Sequence, residues 1–516
     1  MTSPTGSGAD AAVALDAPRE EWQLSAAGIP LDPMRWRALF VIGMAALMAV
    51  LDASIVNLAL PSAKADLGIS DADQQWVVTA YALAFGGLLL LGGRVADYAG
   101  RKRTFIFGLL GFAAASALGG IAPGPLWLFG ARALQGAFAA LLMPAALSLI
   151  TVTFHEPKER ARAFGVYGAI SGGGAALGLL LGGVLTEYLS WRWCLLVNIP
   201  IAILAALLAI RNVRESRADG VARYDVGGAV TATVGLVALV YGFTKAAPHG
   251  LADGAHWTDP STLVWFALAL VMIVAFFVIE NRVANPLVPM RVLLNRNRGG
   301  AYITSLIVGI GMFAMFLFLG LWLQVVKGYT PIVAGFAFLP FSVGIVIGAG
   351  IASQLLPKVG PKPLLVPGLL MGASGLLWLS TLEADSPYLT HVLPSMLIMS
   401  FGMAFTFIPI STTALHAIGH DDAGVGSALI NTVQQVGGAV GTALLNTVAV
   451  AATTAWIAAN PAAGPAGIPQ ALTEGYTRAF LVGSGFMVVA AVVAFFMITI
   501  GKEAAAEDDE PVVHMA

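Results

Sequence analysis

The chain has 516 residues, of which 58% are hydrophobic and 11% charged, and its formal net charge is -2. A charged share under half of the roughly 25% usual in soluble domains excludes a water-soluble enzyme or binding module and implies an all-α polytopic membrane protein, because each segment in lipid must satisfy its own backbone. The near-neutral balance excludes nucleic acid as a partner, and a single cysteine, Cys194, excludes a disulfide framework or a thiolate metal cluster.

Residues 1–34 lack the apolar core of a secretion signal and are expected to form a cytoplasmic tail. Apolar stretches of about 20 residues follow at 38–60, 75–93, 104–121, 126–150, 163–186 and 193–210, an N-terminal half over 35–212. Two more, at 226–244 and 262–280, sit within a linker over 213–298, and Glu280 closes the second of them. A C-terminal half over 299–501 holds spans at 301–324, 332–356, 364–381, 389–413, 424–452 and 479–500, before an acidic tail over 502–516. Fourteen spans result. Lys and Arg concentrate in alternate loops, the others holding only Lys64, Arg192, Lys245, Lys327 and Arg478, which puts both termini on the cytoplasmic side.

The first span ends in LDASIVNLALP (51–61), which carries Asp52 into an apolar helix. Counting along the helix places Asp52 about 9 Å from the outer face, and Arg132 enters the fourth span from that face to about the same depth. Opposite charges at one depth in a low-dielectric medium are expected to meet. The pair reads either as a static tie between two helices or as a protonation switch. Burial penalises the carboxylate's charge and a guanidinium favours it, so its proton occupancy depends on the face to which the site opens.

After the second span, GGRVADYAGRKR offers Gly93 for close helix contact, Gly100 for a turn, and Asp97 within reach of Arg94, Arg101 and Lys102. The cations also serve as cytoplasmic anchors, whereas an acid adds nothing to topology, so Asp97 reads as part of a gate. In the fifth span, small residues recur every three or four positions and form a groove, for close packing or for sliding between halves. In the thirteenth span Ser427, Asn431, Gln434, Gln435, Gly438 and Thr442 share one helix face. Uncharged amides there serve as interhelical glue or as the wall of a wet cavity. Met and aromatic residues of the ninth and twelfth spans, including Phe316, Trp322 and Met403, suit a tolerant apolar pocket or plain packing. Asn57, Tyr81 and Gln135 complete the residues expected to line the cavity.

A weak repeat relates 92–105 to 352–365, matching Gly100 with Gly360 and Lys102 with Lys362, and relates Gly174 and Gly178 to Gly437 and Gly441. Repeated halves with a site at their interface are a common plan for secondary transporters.

LGGRVADYAGRKR resembles the loop signature between the second and third helices of the major facilitator superfamily, and ARALQGAFAALLMPAAL resembles its fourth-helix motif. GVYGAISGGGAALGLLLGG is similar to its fifth-helix antiporter signature, carried by Gly165, Gly174, Gly178, Gly182 and Gly183, with Leu179 where that signature has proline. LDASIVNLALP, QQWVVTAYALAFGGLLLLGGR and WRWCLLVNIP resemble the fourteen-helix drug:proton antiporter branch of bacterial multidrug exporters. The resemblance spans about residues 36–500. It implies the major facilitator fold, two six-helix halves plus a central helix pair, in the bacterial plasma membrane. It also implies efflux of lipophilic drugs, antibiotics or dyes by alternating access, with protons as coupling ion, no other cofactor and a monomeric carrier. The Asp97 loop would latch the halves on the cytoplasmic side. The tenth span lacks the acid that relatives use for divalent cationic drugs, so these are not expected as substrates. Import by proton symport is the alternative within transport. A non-transporting sensor is the alternative outside it, and an enzyme is disfavoured by the lack of any nucleophile elbow, HExxH pair or phosphate loop.

Overall fold

The computed structural model describes residues 32–154, 156–217, 224–248, 255–284, 286–416 and 423–501, and every regular element among them is a helix. Of the two expected tails, only residues 32–34 fall within the described part. The long helices are α1 (Arg35–Leu67), α2 (Trp76–Ala99), α3 (Arg101–Gly120), α4 (Pro125–Thr153), α5 (Pro157–Tyr188), α6 (Asn198–Asn212) and α7 (Val226–Ala246), continuing with α8 (Pro260–Glu280), α9 (Arg296–Leu321), α10 (Pro331–Val359), α11 (Lys362–Leu379), α12 (Leu393–Leu415), α13 (Ala423–Ala459) and α14 (Ile468–Met497). Among the described residues 13 segments are long and apolar enough to cross a membrane; α5 adds a 32-residue helix whose apolar part is Gly174–Tyr188.

Local chemistry sets the helix ends. Proline opens α4, α5, α8 and α10, where its missing N–H would have had no partner. Asp225 caps α7 by accepting from the Gly228 N–H, and Asn295 caps α9. Gly100 (φ 112°) and Gly360 (φ 81°) take the left-handed turns that separate α2 from α3 and α10 from α11, so the two matched glycines do the same backbone work. α1 extends beyond its expected end at 60, running through Pro61 to Leu67, since one missing hydrogen bond does not stop a helix held by its neighbours. The expected span at 193–210 is interrupted at Val197, between a short turn (Trp193–Leu196) and α6, because Pro200 offers no N–H to the Leu196 carbonyl.

In the N-terminal half α1 packs on α5 and α4 on both α2 and α3; in the C-terminal half α13 packs on α9, and α11 on α12 and α14. The α7–α8 hairpin leans on α2 and α13, and α8 is the least enclosed of the helices that could span. The fifth-helix glycines make close backbone approach possible. A Cβ on Gly178 would lie 2.8 Å from the Leu51 carbonyl oxygen, and one on Gly182 would lie 2.8 Å from that of Ile55. Their counterparts Gly437 and Gly441 press α13 onto α9 at Leu306 and Ile310. The expectation of a sliding surface between halves therefore needs correction for Gly174, Gly178 and Gly182, which face α1 within their own half. Gly183 is the one of the set that meets the other half, with its Cβ direction 2.7 Å from the Ile332 Cα of α10. Gly165 is exposed and has open space beside it.

The halves are closed at the end of the bundle that carries the α1–α2 loop. There Gln74 donates to Asn446 Oδ1 at 3.2 Å, Asn446 donates to the Asp71 carbonyl at 3.1 Å, and the Ile332 N–H donates to Glu187 at 3.1 Å.

Candidate functional site

Asp52 sits in the middle of α1 with no exposed surface, and Arg132, about two turns into α4, is 1% exposed. Arg132 Nη1 donates to Asp52 Oδ2 at 2.6 Å. Gln135, one turn further along α4, donates to Asp52 Oδ1 at 3.0 Å, and Asn198, at the start of α6, donates to the same oxygen at 2.7 Å. The guanidinium is itself held by the Val77 carbonyl at 3.0 Å, by Gln135 Oε1 at 2.8 Å and by the Tyr81 ring 4.6 Å away. Ser116 of α3 accepts from Gln135 at 2.7 Å and from Asn198 at 3.4 Å. Residues from α1, α2, α3, α4 and α6 thus converge on one carboxylate.

Three donors point at the carboxylate, Gln135 and Asn198 at Oδ1 and Arg132 at Oδ2, and a proton on it would remove the charge that draws the Arg132 guanidinium. On the side of the α1–α2 loop, the path is plugged by Val56, Leu60, Val77, Leu128, Trp191 and Leu195, which enclose about 10 Å³, an apolar void at the lower limit for one water. Beyond it Asp66 accepts from Trp191 at 3.0 Å and pairs with Arg192.

Two expected cavity residues belong elsewhere: Gln135 is part of the charge network, and Tyr81 is its aromatic wall. Trp322 and Met403 are also corrected, both fully buried in the packed core and facing no open space here. Phe316 packs against Phe338 in a tilted arrangement and against Phe341 edge-on, with centroids 5.6 and 5.3 Å away. Asn57 turns its amide onto the Ala53 and Ser54 carbonyls of its own helix at 3.3 Å. Asn431 is exposed, while Gln434 and Gln435 are half-buried, with Gln435 close to Gly86 of α2. Ser116 and Asn198 were missed by the sequence reading, although a lone amide in WRWCLLVNIP was a usable signal.

Below the ion pair, a groove of about 380 Å³ runs between α1 and α5. Trp36, Phe40, Met44 and Leu47 line it from α1, Val166 and Ile170 from α5, and Arg162 stands over the Trp36 ring at 5.3 Å. Leu47 precedes Asp52 by about 7.5 Å of helix rise. The spacing of these apolar residues in the first span marks a helix face, but nothing in it marks an open one.

The expected loop after the second span is helical up to Ala99, and Gly100 alone makes the turn; from the last turn of α2 Asp97 accepts two bonds from Arg101 of α3, at 2.8 and 3.1 Å. Arg94 instead donates to the Pro286 carbonyl at 3.4 Å, and Lys102 reaches the Ile210 carbonyl at 2.7 Å, so the expected cluster of three cations on Asp97 reduces to one. Close packing was expected of Gly93, but its neighbour Gly92 supplies it, with a Cβ direction 1.9 Å from the Ala140 carbonyl oxygen. Glu215, beyond α6, accepts from the N–H groups of Lys102 and Arg103 and so caps α3 where the helix dipole favours an anion.

The family model of the Major Facilitator Superfamily matches residues 42–442. The chain is 48% identical to the puromycin resistance protein of Streptomyces alboniger, over 92% of this chain and 94% of that one. It is 39% identical to the cephamycin export protein of Amycolatopsis lactamdurans, over 88% and 91%. It is 32% identical to a multidrug resistance protein of Mycobacterium tuberculosis, over 77% and 73%. Among solved structures, a bacterial homolog of the human lysosomal transporter Spinster, inward-facing and unoccupied, matches with a TM-score of 0.63 at 16% identity over 93% of this chain and 99% of that one. A D-xylose–proton symporter matches with 0.61 at 15% identity, over 91% and 99%. At these identities the structural likeness speaks for the fold alone.

Proposed function

The chain belongs to the Major Facilitator Superfamily, and from that membership we propose that it exports lipophilic antibiotic-like molecules from a bacterial cell in exchange for protons, as a monomer in the plasma membrane. The observation that carries this reading is Asp52, a fully enclosed carboxylate held by Arg132, Gln135 and Asn198 at the centre of a helix long enough to span. A group whose protonation weakens its ion pair to a neighbouring helix is what coupling requires, because only a ligand with different affinity for two conformations shifts their balance. The relatives named for puromycin resistance and cephamycin export support drug-like cargo. So does the groove of Trp36, Phe40, Met44 and Leu47, whose soft side chains repack around differing shapes.

With both termini cytoplasmic, the closed end is the outer one, and the state described here is ready to load from inside. Drug occupies the space beside α1 and α5, the halves rock, a proton arriving from outside at Asp52 weakens its hold on Arg132 and returns the carrier, and the proton leaves on the inner side as the pair re-forms. The test is proton release from purified protein in detergent on addition of puromycin. Drug favours the form in which Asp52 is ionised and paired with Arg132, so it drives protons off the remaining protonated wild type near neutral pH, and Asp52→Asn binds drug without release. Equal release from both would assign the proton to another group and leave Asp52 as a structural partner of Arg132.

A further inference from the structure

The α7–α8 hairpin, which the transport cycle above does not use, buries two acids at its base. Asp225 precedes α7 and is 5% exposed; Glu280 ends α8 and is 3% exposed. Each has one oxygen engaged, Asp225 Oδ1 by the Gly228 N–H at 2.7 Å and Glu280 Oε2 by the Val288 N–H at 2.9 Å. The remaining oxygens, Asp225 Oδ2 and Glu280 Oε1, are buried without a partner. They point at the same place, lying 2.5 and 2.8 Å from where a Cβ on Gly228 would be, and the two carboxyls are within hydrogen-bonding reach of each other.

Two buried carboxylates facing one another cannot both be ionised without a cation between them. The charged groups on the surrounding elements are otherwise placed. From α2, Arg94 donates to the Pro286 carbonyl, Asp97 pairs with Arg101, and Tyr98 meets the Tyr224 ring edge-on at 6.2 Å. Arg282, on the segment after α8, is exposed; Lys245 and Tyr241 lie towards the far end of α7; and α13 carries no ionisable residue. We propose that Asp225 and Glu280 share one proton, and that this proton holds the hairpin base and the 286–288 segment against Arg94 near the end of α2. The linkage runs through Glu280 to the Val288 amide and from Pro286 to Arg94, so loss of the proton loosens a contact of the α2 end that carries Asp97. The pair is a second protonation site, distinct from Asp52, and it stands whether or not the chain exports drugs.

The test uses full-length protein in detergent, compared with Glu280→Gln and, independently, Asp225→Asn, each an amide that keeps the shape of the protonated acid. The infrared carbonyl band of a protonated carboxylic acid is expected in wild type near neutral pH and absent from Glu280→Gln; Asp52 is common to both samples and cancels in the difference. The wild-type melting temperature is expected to fall as pH is raised from about 6 to about 9, because deprotonation leaves two facing charges, and Glu280→Gln is expected to lose this fall. Identical spectra and identical pH dependence in wild type and both variants would overturn the proposal. So would the absence of an acid band together with a melting temperature restored at alkaline pH by added sodium or magnesium ion, which would make the pair a cation site.

Discussion

Replacing Arg132 with glutamine removes the guanidinium that donates to Asp52 at 2.6 Å and leaves a carboxylate with no exposed surface held by two amides, Gln135 and Asn198. Breaking a buried pair from one side costs about 3–5 kcal/mol, because the remaining charge keeps its desolvation penalty. Asp52→Asn should cost a similar amount from the other side, leaving Arg132 with Val77, Gln135 and the Tyr81 ring. The double variant Asp52→Asn/Arg132→Gln has no buried charge to strand and loses only neutral hydrogen bonds of about 1 kcal/mol each, so it should be more stable than either single variant. At about 2–4 °C per kcal/mol for a unit of 150–250 residues, the size of one six-helix half, each single substitution lowers the melting temperature by about 6–20 °C. The assay is thermal unfolding of the four proteins in one detergent at one pH. Additive losses, with the double variant the least stable, would refute the idea that the two charges depend on each other.

Asp97→Asn should slow efflux at equal expression with little loss of stability, since its two bonds from Arg101 are partly solvent-screened; undiminished efflux would remove Asp97 from the gate. Gly183→Val should force α5 from α10 at the closed end, where the Ile332 Cα is 2.7 Å from the Cβ direction. Its readout is cross-linking between Glu187→Cys and Ile332→Cys in a Cys194→Ala background, with yield expected to fall several-fold; an unchanged yield would mean that this contact does not set the closed state.

The number of spans and the meeting of Asp52 with Arg132 were legible in the sequence because lipid imposes strict rules. A segment of about 20 apolar residues has few alternatives, and a charge placed in it must find its opposite at a matching depth. The turn at Gly100 and its repetition at Gly360 were legible for a similar reason, since few residues tolerate a positive φ. The proposed cavity wall was less legible. Trp322 and Met403 have the composition of a pocket, but composition does not distinguish a side chain packed on all sides from one facing open space.

What the sequence by itself determined is therefore the medium, the helices and the two ions that had to pair. Only the tertiary structure decided which neutral groups complete the site. Gln135 and Asn198 lie 83 and 146 residues from Asp52 along the chain, and no periodicity within one helix records which face of another will meet it. The same holds for the facing acids at Asp225 and Glu280. Read along the chain, one caps a helix and the other ends one; their unpartnered oxygens meet because Gly228 leaves room for α7 and α8 to close. Helix-to-helix distance is set by the smallest side chain at the crossing, and that is a property of the packed pair.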